Sequence, residues 1–233
     1  MRNITFMILF STLSILGCFK HQGHEIIEPE WPRYKFGGIV SDSLTGTPVD
    51  SCIVTVIAYI IVYDDNFTSA VDTTDSTGAF LFDSIPVGQY WLTVEREGYC
   101  PFLARLDMSE YQDILDYNVS ILKLSDAPNI ELSVSEFNVT LGMDEILDTT
   151  FTISNSGKLT LDWTLDESPA KVSWLNENPT SGSVFSQDSQ VVSINFNTYS
   201  VLKYGIYTAM LVISSNDCDE PIKEIYVKLT VQQ

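Results

Sequence analysis

Histidine is nearly missing from this chain: His21 and His24 are the two in 233 residues, and both lie near the N-terminus. The long strand-patterned remainder therefore cannot build a Ser-His-Asp triad, a Cys-His pair or a histidine zinc site. Positive charge is scarce as well, with 12 Lys plus Arg against 31 Asp plus Glu and a formal net charge of −19. Such a field repels nucleic-acid phosphates and anionic headgroups, which excludes nucleic acid as a partner. No Gly-rich phosphate loop occurs, so neither a nucleotide nor a dinucleotide cofactor is expected. The four cysteines lack paired metal-ligand spacing, and no cofactor or metal is expected on their account. What the chain does have is hydrophobic residues, at 45%, with only 18% charged, a balance that buries cores instead of making an acidic disordered tail. Its length suits two domains of roughly 100 residues each, the usual size of a small sandwich.

The N-terminus places Arg2 before an apolar run from Ile4 to Leu16, followed by Gly17 and Cys18. As a helix this run would extend about 20 Å, short of the roughly 30 Å hydrocarbon core, so a cleaved leader fits better than a permanent span. The Gly17-Cys18 junction resembles the lipobox of bacterial lipoproteins. That resemblance implies a signal peptide over 1–17, lipidation of Cys18, and a membrane-anchored lipoprotein at the bacterial cell envelope or surface. Ile15 and Leu16 depart from the usual leucine and small residue, and ordinary secretion is the alternative. Residues 18–33 have no hydrophobic period and read as a tether, with Trp31 as a staple onto the first domain.

From Phe36 the hydrophobic period becomes two. Phe36, Gly38 and Val40 lead into the turn Leu44 to Pro48, and a long β-branched strand runs from Cys52 to Tyr63. Ala79 to Phe82 follows the turn Asp75 to Gly78, and Tyr90 to Val94 follows Pro86 to Gly88. This ordered series, continuing to Gly98-Tyr99, resembles the carboxypeptidase regulatory-like domain. The resemblance implies a prealbumin-type β-sandwich over 34–125 and a non-catalytic accessory module. Gly78 and Gly88 are expected to supply backbone angles that side chains resist, and Pro48 and Pro86 to pre-set turns. If Val54, Val56, Ala58, Ile60 and Val62 face inward, then Ile57, Tyr59, Ile61 and Tyr63 face outward, and Trp91 joins them by the same parity. Those five residues are the candidate binding surface. A bulge, or cover by another segment, would remove it.

After Ala127-Pro128 a fresh series of strands begins, and 126–233 reads as a second sandwich. Phe151 to Ser154 runs into Asn155-Ser156-Gly157, with Leu159, Leu161, Trp163 and Leu165 alternating beyond, which predicts a hairpin. The segments Thr152 to Gly157, Trp174-Leu175, Pro179 to Gly182, Gly205 to Tyr207 and Ile213 to Asp217 resemble the BACON family of immunoglobulin-like domains. That resemblance implies an extracellular module beside glycan-degrading or adhesive partners. Parity makes Trp163 a core residue, and Trp174 takes the family's packing position.

The fold class is therefore all-β, two tandem β-sandwiches behind a signal helix. The expected function is non-catalytic: a surface lipoprotein presenting both modules for adhesion, scaffolding or protein/glycan binding, with an envelope protein or a glycan as partner. A carbohydrate-binding accessory of a polysaccharide-utilisation system is the alternative. A small carboxylate-pair glycosidase ranks last, since sequence does not show how far apart carboxylates lie. Cys52 and Cys100 fall in one module of an exported chain, so a disulfide between them is permitted, leaving Cys218 free. Asp64, Asp65, Asp72, Asp75, Asp217, Asp219 and Glu220 lie in loops; without EF-hand spacing they read as solvated turns more readily than as a calcium site.

Overall fold

The computed structural model describes residues 32–62, 67–110, 112–201 and 203–233. The expected leader, Cys18, both histidines, Trp31, Tyr63, Asp64 and Asp65 lie outside the described residues, as does the side chain of Ile61. Among the described residues every regular element is a strand, apart from a 3-10 turn at Thr198–Ser200.

The first sandwich contains β1 (Arg33–Asp42), β2 (Ile53–Val62), β3 (Ser69–Thr73), β4 (Ala79–Pro86), β5 (Gly88–Glu95), β6 (Phe102–Asp107) and β7 (Val119–Ile121). One sheet has the order β4-β1-β7 and the other β3-β2-β5-β6. Alternation sorts their side chains. Phe36, Phe80 and Phe82 from the first sheet meet Val54, Val56, Tyr90, Leu92 and Val94 from the second in one buried core. Each such side chain is worth about 1.5–3 kcal/mol of transfer free energy, so parity alone strongly favours this facing.

Two turns show how local sequence sets the strands. The Asp42 carboxylate accepts from the N–H groups of Leu44 and Thr45 and from the Thr45 hydroxyl, closing the turn that carries Gly46 at φ +69°. Asp75 does the same for Thr77 and Ala79, with Gly78 at φ +74°. A Cβ on Gly78 would also lie 2.4 Å from the Val40 carbonyl oxygen, so this glycine is required twice over. Gly88, expected to play a similar part, instead opens β5 in strand geometry opposite Val62, and its carbonyl accepts from the Met108 N–H.

The second sandwich contains β8 (Ile130–Leu132), β9 (Glu136–Leu141), β10 (Ile146–Asn155), β11 (Leu161–Ser168), β12 (Leu175–Asn178), β13 (Ser181–Val184), β14 (Ser189–Asn197), β15 (Gly205–Ser215) and β16 (Ile222–Val231). Its sheets run β12-β14-β10-β8 and β13-β11-β15-β16-β9. Trp163 and Trp174 are both buried in its core, Trp174 stacking on Phe196 at 6.4 Å.

The predicted hairpin at Asn155-Ser156-Gly157 does not form, because β10 and β11 belong to different sheets and the turn is a crossover. Its residues do other work. Buried Asn155 donates to the carbonyls of Leu159 and Val184 and accepts from the N–H groups of Asn129 and Gly157. A Cβ on Gly157 would meet the Ala127 carbonyl oxygen at 2.2 Å, so the glycine makes room for the peptide linking the sandwiches.

That linker is held on both sides. Cys100 N–H donates to Leu122 O and Leu124 N–H to Gly98 O on the first sandwich. Lys158 and Leu159 N–H groups donate to Ala127 and Asp126 carbonyls on the second, and the Lys158 ammonium contacts Asp126 at 2.6 Å. Beside it lies a covalent tie: Cys100 is bonded to Cys218, with Cα atoms 5.5 Å apart and 118 residues between them in sequence. This corrects the expected pairing of Cys52 with Cys100. Cys52 is a free thiol buried in the first core near the Val49 carbonyl, and burial pushes its pKa up. Cys100 follows β5 on the side of the linker, where the Asp217 loop of the second sandwich reaches it.

Candidate functional site

The outer face of the β3-β2-β5-β6 sheet carries the candidate surface. Register places Ser69, Ile57, Trp91 and Arg105 in one row across its four strands. Tyr59 lies two residues along β2 from Ile57, on the same face, and its ring meets Trp91 edge-on at 4.9 Å. The Arg105 guanidinium sits 5.2 Å from both ring centroids. A cation held against two aromatic rings fixes their rotamers as well as contributing attraction, on the order of 0.5–1 kcal/mol at an exposed site.

Ile57, Tyr59 and Trp91 therefore share one face, with Ile57 and Tyr59 exposed and Trp91 half-buried. Ile61 and Tyr63 add nothing that can be described. The apolar area extends further than sequence parity suggested: Val71, 62% exposed, and Leu103, 64% exposed, flank Thr55 and Thr93 in the adjoining row. Arg105, Val71 and Leu103 were missed because β3 and β6 are short, and only register shows that they join this face. Alternation within β6, where Leu106 is buried and Arg105 exposed, was the available signal.

Of the acidic residues expected in loops, Asp72 lies instead in β3, and Asp72, Asp75 and Asp217 accept from backbone N–H groups. Asp72 accepts from Thr73 and Leu81 N–H groups. Asp217 is buried and accepts from the N–H groups of Ile130, Asp219 and Glu220. Burial opposes its ionisation, but the hydrogen bond shared with Asp219 and these backbone donors outweigh burial and hold its pKa below the ordinary value. Among the described residues no three His, Cys, Asp or Glu side chains converge as metal ligands.

One carboxyl pair was not visible in the sequence. Glu177 of β12, 6% exposed, lies beside Glu167 of β11, and the two line a cavity of about 310 Å³ with Asp166, Lys171 and Thr180. Burial first, and then the Glu167 charge, push the Glu177 carboxyl up to about 7. Oε1 of each carboxyl is buried without a hydrogen-bond partner.

Fold and faces define an all-β protein of sandwich modules. Within it, residues 35–120, spanning β1 into β7, match the carboxypeptidase regulatory-like domain. No curated protein matches the chain. Among solved structures, a Porphyromonas gingivalis W83 protein of unknown function is 15% identical, over 84% of this chain and 96% of its own, at a TM-score of 0.39. A Bacteroides uniformis ATCC 8492 protein described as a "putative carbohydrate binding protein" is 15% identical, over 85% and 99%, at 0.33. The PapD-like domain 7 of human CEP192 is 16% identical over 46% of this chain and 88% of its own, at 0.40. At these scores none carries a functional argument.

Proposed function

We propose that this protein is a non-catalytic binding module displayed at a bacterial cell surface, and that it takes its ligand on the outer face of β3-β2-β5-β6. The observation carrying this reading is the Tyr59-Trp91-Arg105 cluster set in an exposed apolar sheet face. Solvent-facing aromatic rings held in place by a guanidinium, flanked by Thr55 and Thr93 hydroxyls, suit a glycan. Its C–H faces pack on rings, while its hydroxyls find donors and acceptors at the rim. An envelope protein docking on the same apolar area is the second reading, favoured by the exposure of Val71 and Leu103.

The Gly17-Cys18 junction supports an anchor at Cys18, and the segment order after residue 126 supports a BACON-like second module. Neither module type is expected to catalyse a reaction. The test is calorimetry of residues 32–233 with a panel of cell-surface and dietary polysaccharides, followed by Trp91→Ala. Saturable heat that vanishes in the variant supports the proposal, whereas heat unchanged by the substitution removes this face as the site. Mass spectrometry of the mature N-terminus, reading a diacyl mass on Cys18 or none, tests the anchor.

A further inference from the structure

Glu167 and Glu177 come from different sheets of the second sandwich. Glu167 lies near the end of β11 in the five-stranded sheet, and Glu177 lies in β12, the edge strand of the four-stranded sheet. Both Oε1 atoms are buried and have no hydrogen-bond partner, and both residues line the same cavity. Glu167 Oε2 accepts from the Val172 N–H at 2.6 Å, so this carboxyl also ties down the connection between the strands. From β14 the residue opposite Glu177 is Ile194, which offers no charge. The remaining charged groups facing the pair are Asp166 of β11, which adds no positive charge, and Lys171 of the connection, which favours ionisation but makes no ion pair with either glutamate among the described contacts.

We propose that Glu167 and Glu177 form a proton latch: one proton shared between them holds β12 and the 169–173 connection against β11, and its loss releases them. Two carboxylates that line one cavity, each with its Oε1 buried, repel each other, and those oxygens would lack the hydration that an ionised group needs. The cheapest relief is separation of the strands. β12 is four residues long and pairs with β14 alone, so little ladder resists its displacement. Trp174, stacked on Phe196 in the core, limits the opening on one side. The latch therefore opens locally, and the eight strands beyond it stay closed.

Hydrogen exchange of the whole protein, with EDTA present and corrected for the intrinsic pH dependence of amide exchange, reads this directly. In wild type, peptides covering 168–180 should lose protection by about tenfold or more between pH 6 and pH 8, roughly the factor that one pKa unit represents. Peptides of β10 and β16 should not change. Glu177→Gln places a permanent amide donor against Glu167 and should keep 168–180 protected at both pH values. Glu167→Gln, which supplies the donor from the other side, should do the same and guards against misfolding of the first variant. Equal protection at pH 6 and pH 8 in wild type would overturn the proposal, as would pH-dependent opening that persists in both folded variants.

Discussion

The two sandwiches bury their inner faces by the same rule and treat their outer faces differently. On β3-β2-β5-β6 the outward residues include Ile53, Ile57, Tyr59, Val71, Trp91 and Leu103. On the β13-β11 end of the five-stranded sheet they include Ser181, Ser183, Asp162, Thr164 and Ser214, with Asn216 just past β15, while Ile206 of β15 and Tyr226 of β16 stand exposed farther along the same sheet; Asp162 accepts from the Ser183 hydroxyl and donates its N–H to Asn216. Period-two patterning specifies which half of a strand goes inside. The outward half is free of that demand, so a polar face is complete in water and an apolar one has reason to be covered. The sharpest contrast is between the ring-lined face of β2-β5-β6 and the hydroxyl-rich β13-β11 edge.

The comparison can be broken or sharpened by experiments of decreasing size. Removing the tie between the sandwiches with Cys100→Ser and Cys218→Ser should cost about 5 kcal/mol in the chain-entropy model for a loop of this length. Calorimetry should then resolve the single transition into two, and one unchanged peak would show that the linker alone couples the modules. Trp163→Ala should cost about 3–5 kcal/mol in urea unfolding, because the ring is buried and its Nε1 donates to Gln190 Oε1.

The Glu177 carboxyl gives a third, intermediate effect. It is raised from 4.5 to about 7 in the folded protein, so the folded state holds a proton that the unfolded state releases. Its stabilisation is complete below pH 4.5 and is lost as pH rises through 7, a span worth up to about 3 kcal/mol. Urea midpoints between pH 5 and 8.5 should fall in wild type and stay level in Glu177→Gln; a rising midpoint would contradict the sign. In this window Asp42 and Asp217, whose pKa values are lowered, remain ionised and contribute a constant amount. Smallest is Trp91→Ala, which should change stability by about 1 kcal/mol or less while abolishing ligand heat. If Trp91→Ala proved as costly as Trp163→Ala, the outward ring would be structural and the contrast between the two faces would fail.

Parity made much of this legible beforehand. Val54 and Val56 inside, with Ile57 and Tyr59 outside, follow from a strict alternation that no bulge interrupts before Ala58. Trp163 followed from its leucine neighbours in the same way. What escaped the sequence was the relation between strands. The register opposing Trp91 to Arg105, the crossover at Asn155 to Gly157, the Cys100–Cys218 bond and the cavity shared by Glu167 and Glu177 all join segments through space. Cysteine count and module membership favoured a partner within the first sandwich, but Cys52 was claimed by the core and Cys100 was left at the border.

That bond at the border also gives the molecule a mechanical shortcut. Tension between the two ends of the chain would enter residue 100 and leave through residue 218, bypassing everything between. At about 3.4 Å per extended residue, roughly 400 Å of contour length is hidden from the pull. The covalent path would run through β1 to β5 and β16, and the segment between would be loaded only through the ladders and core contacts that these strands make with it.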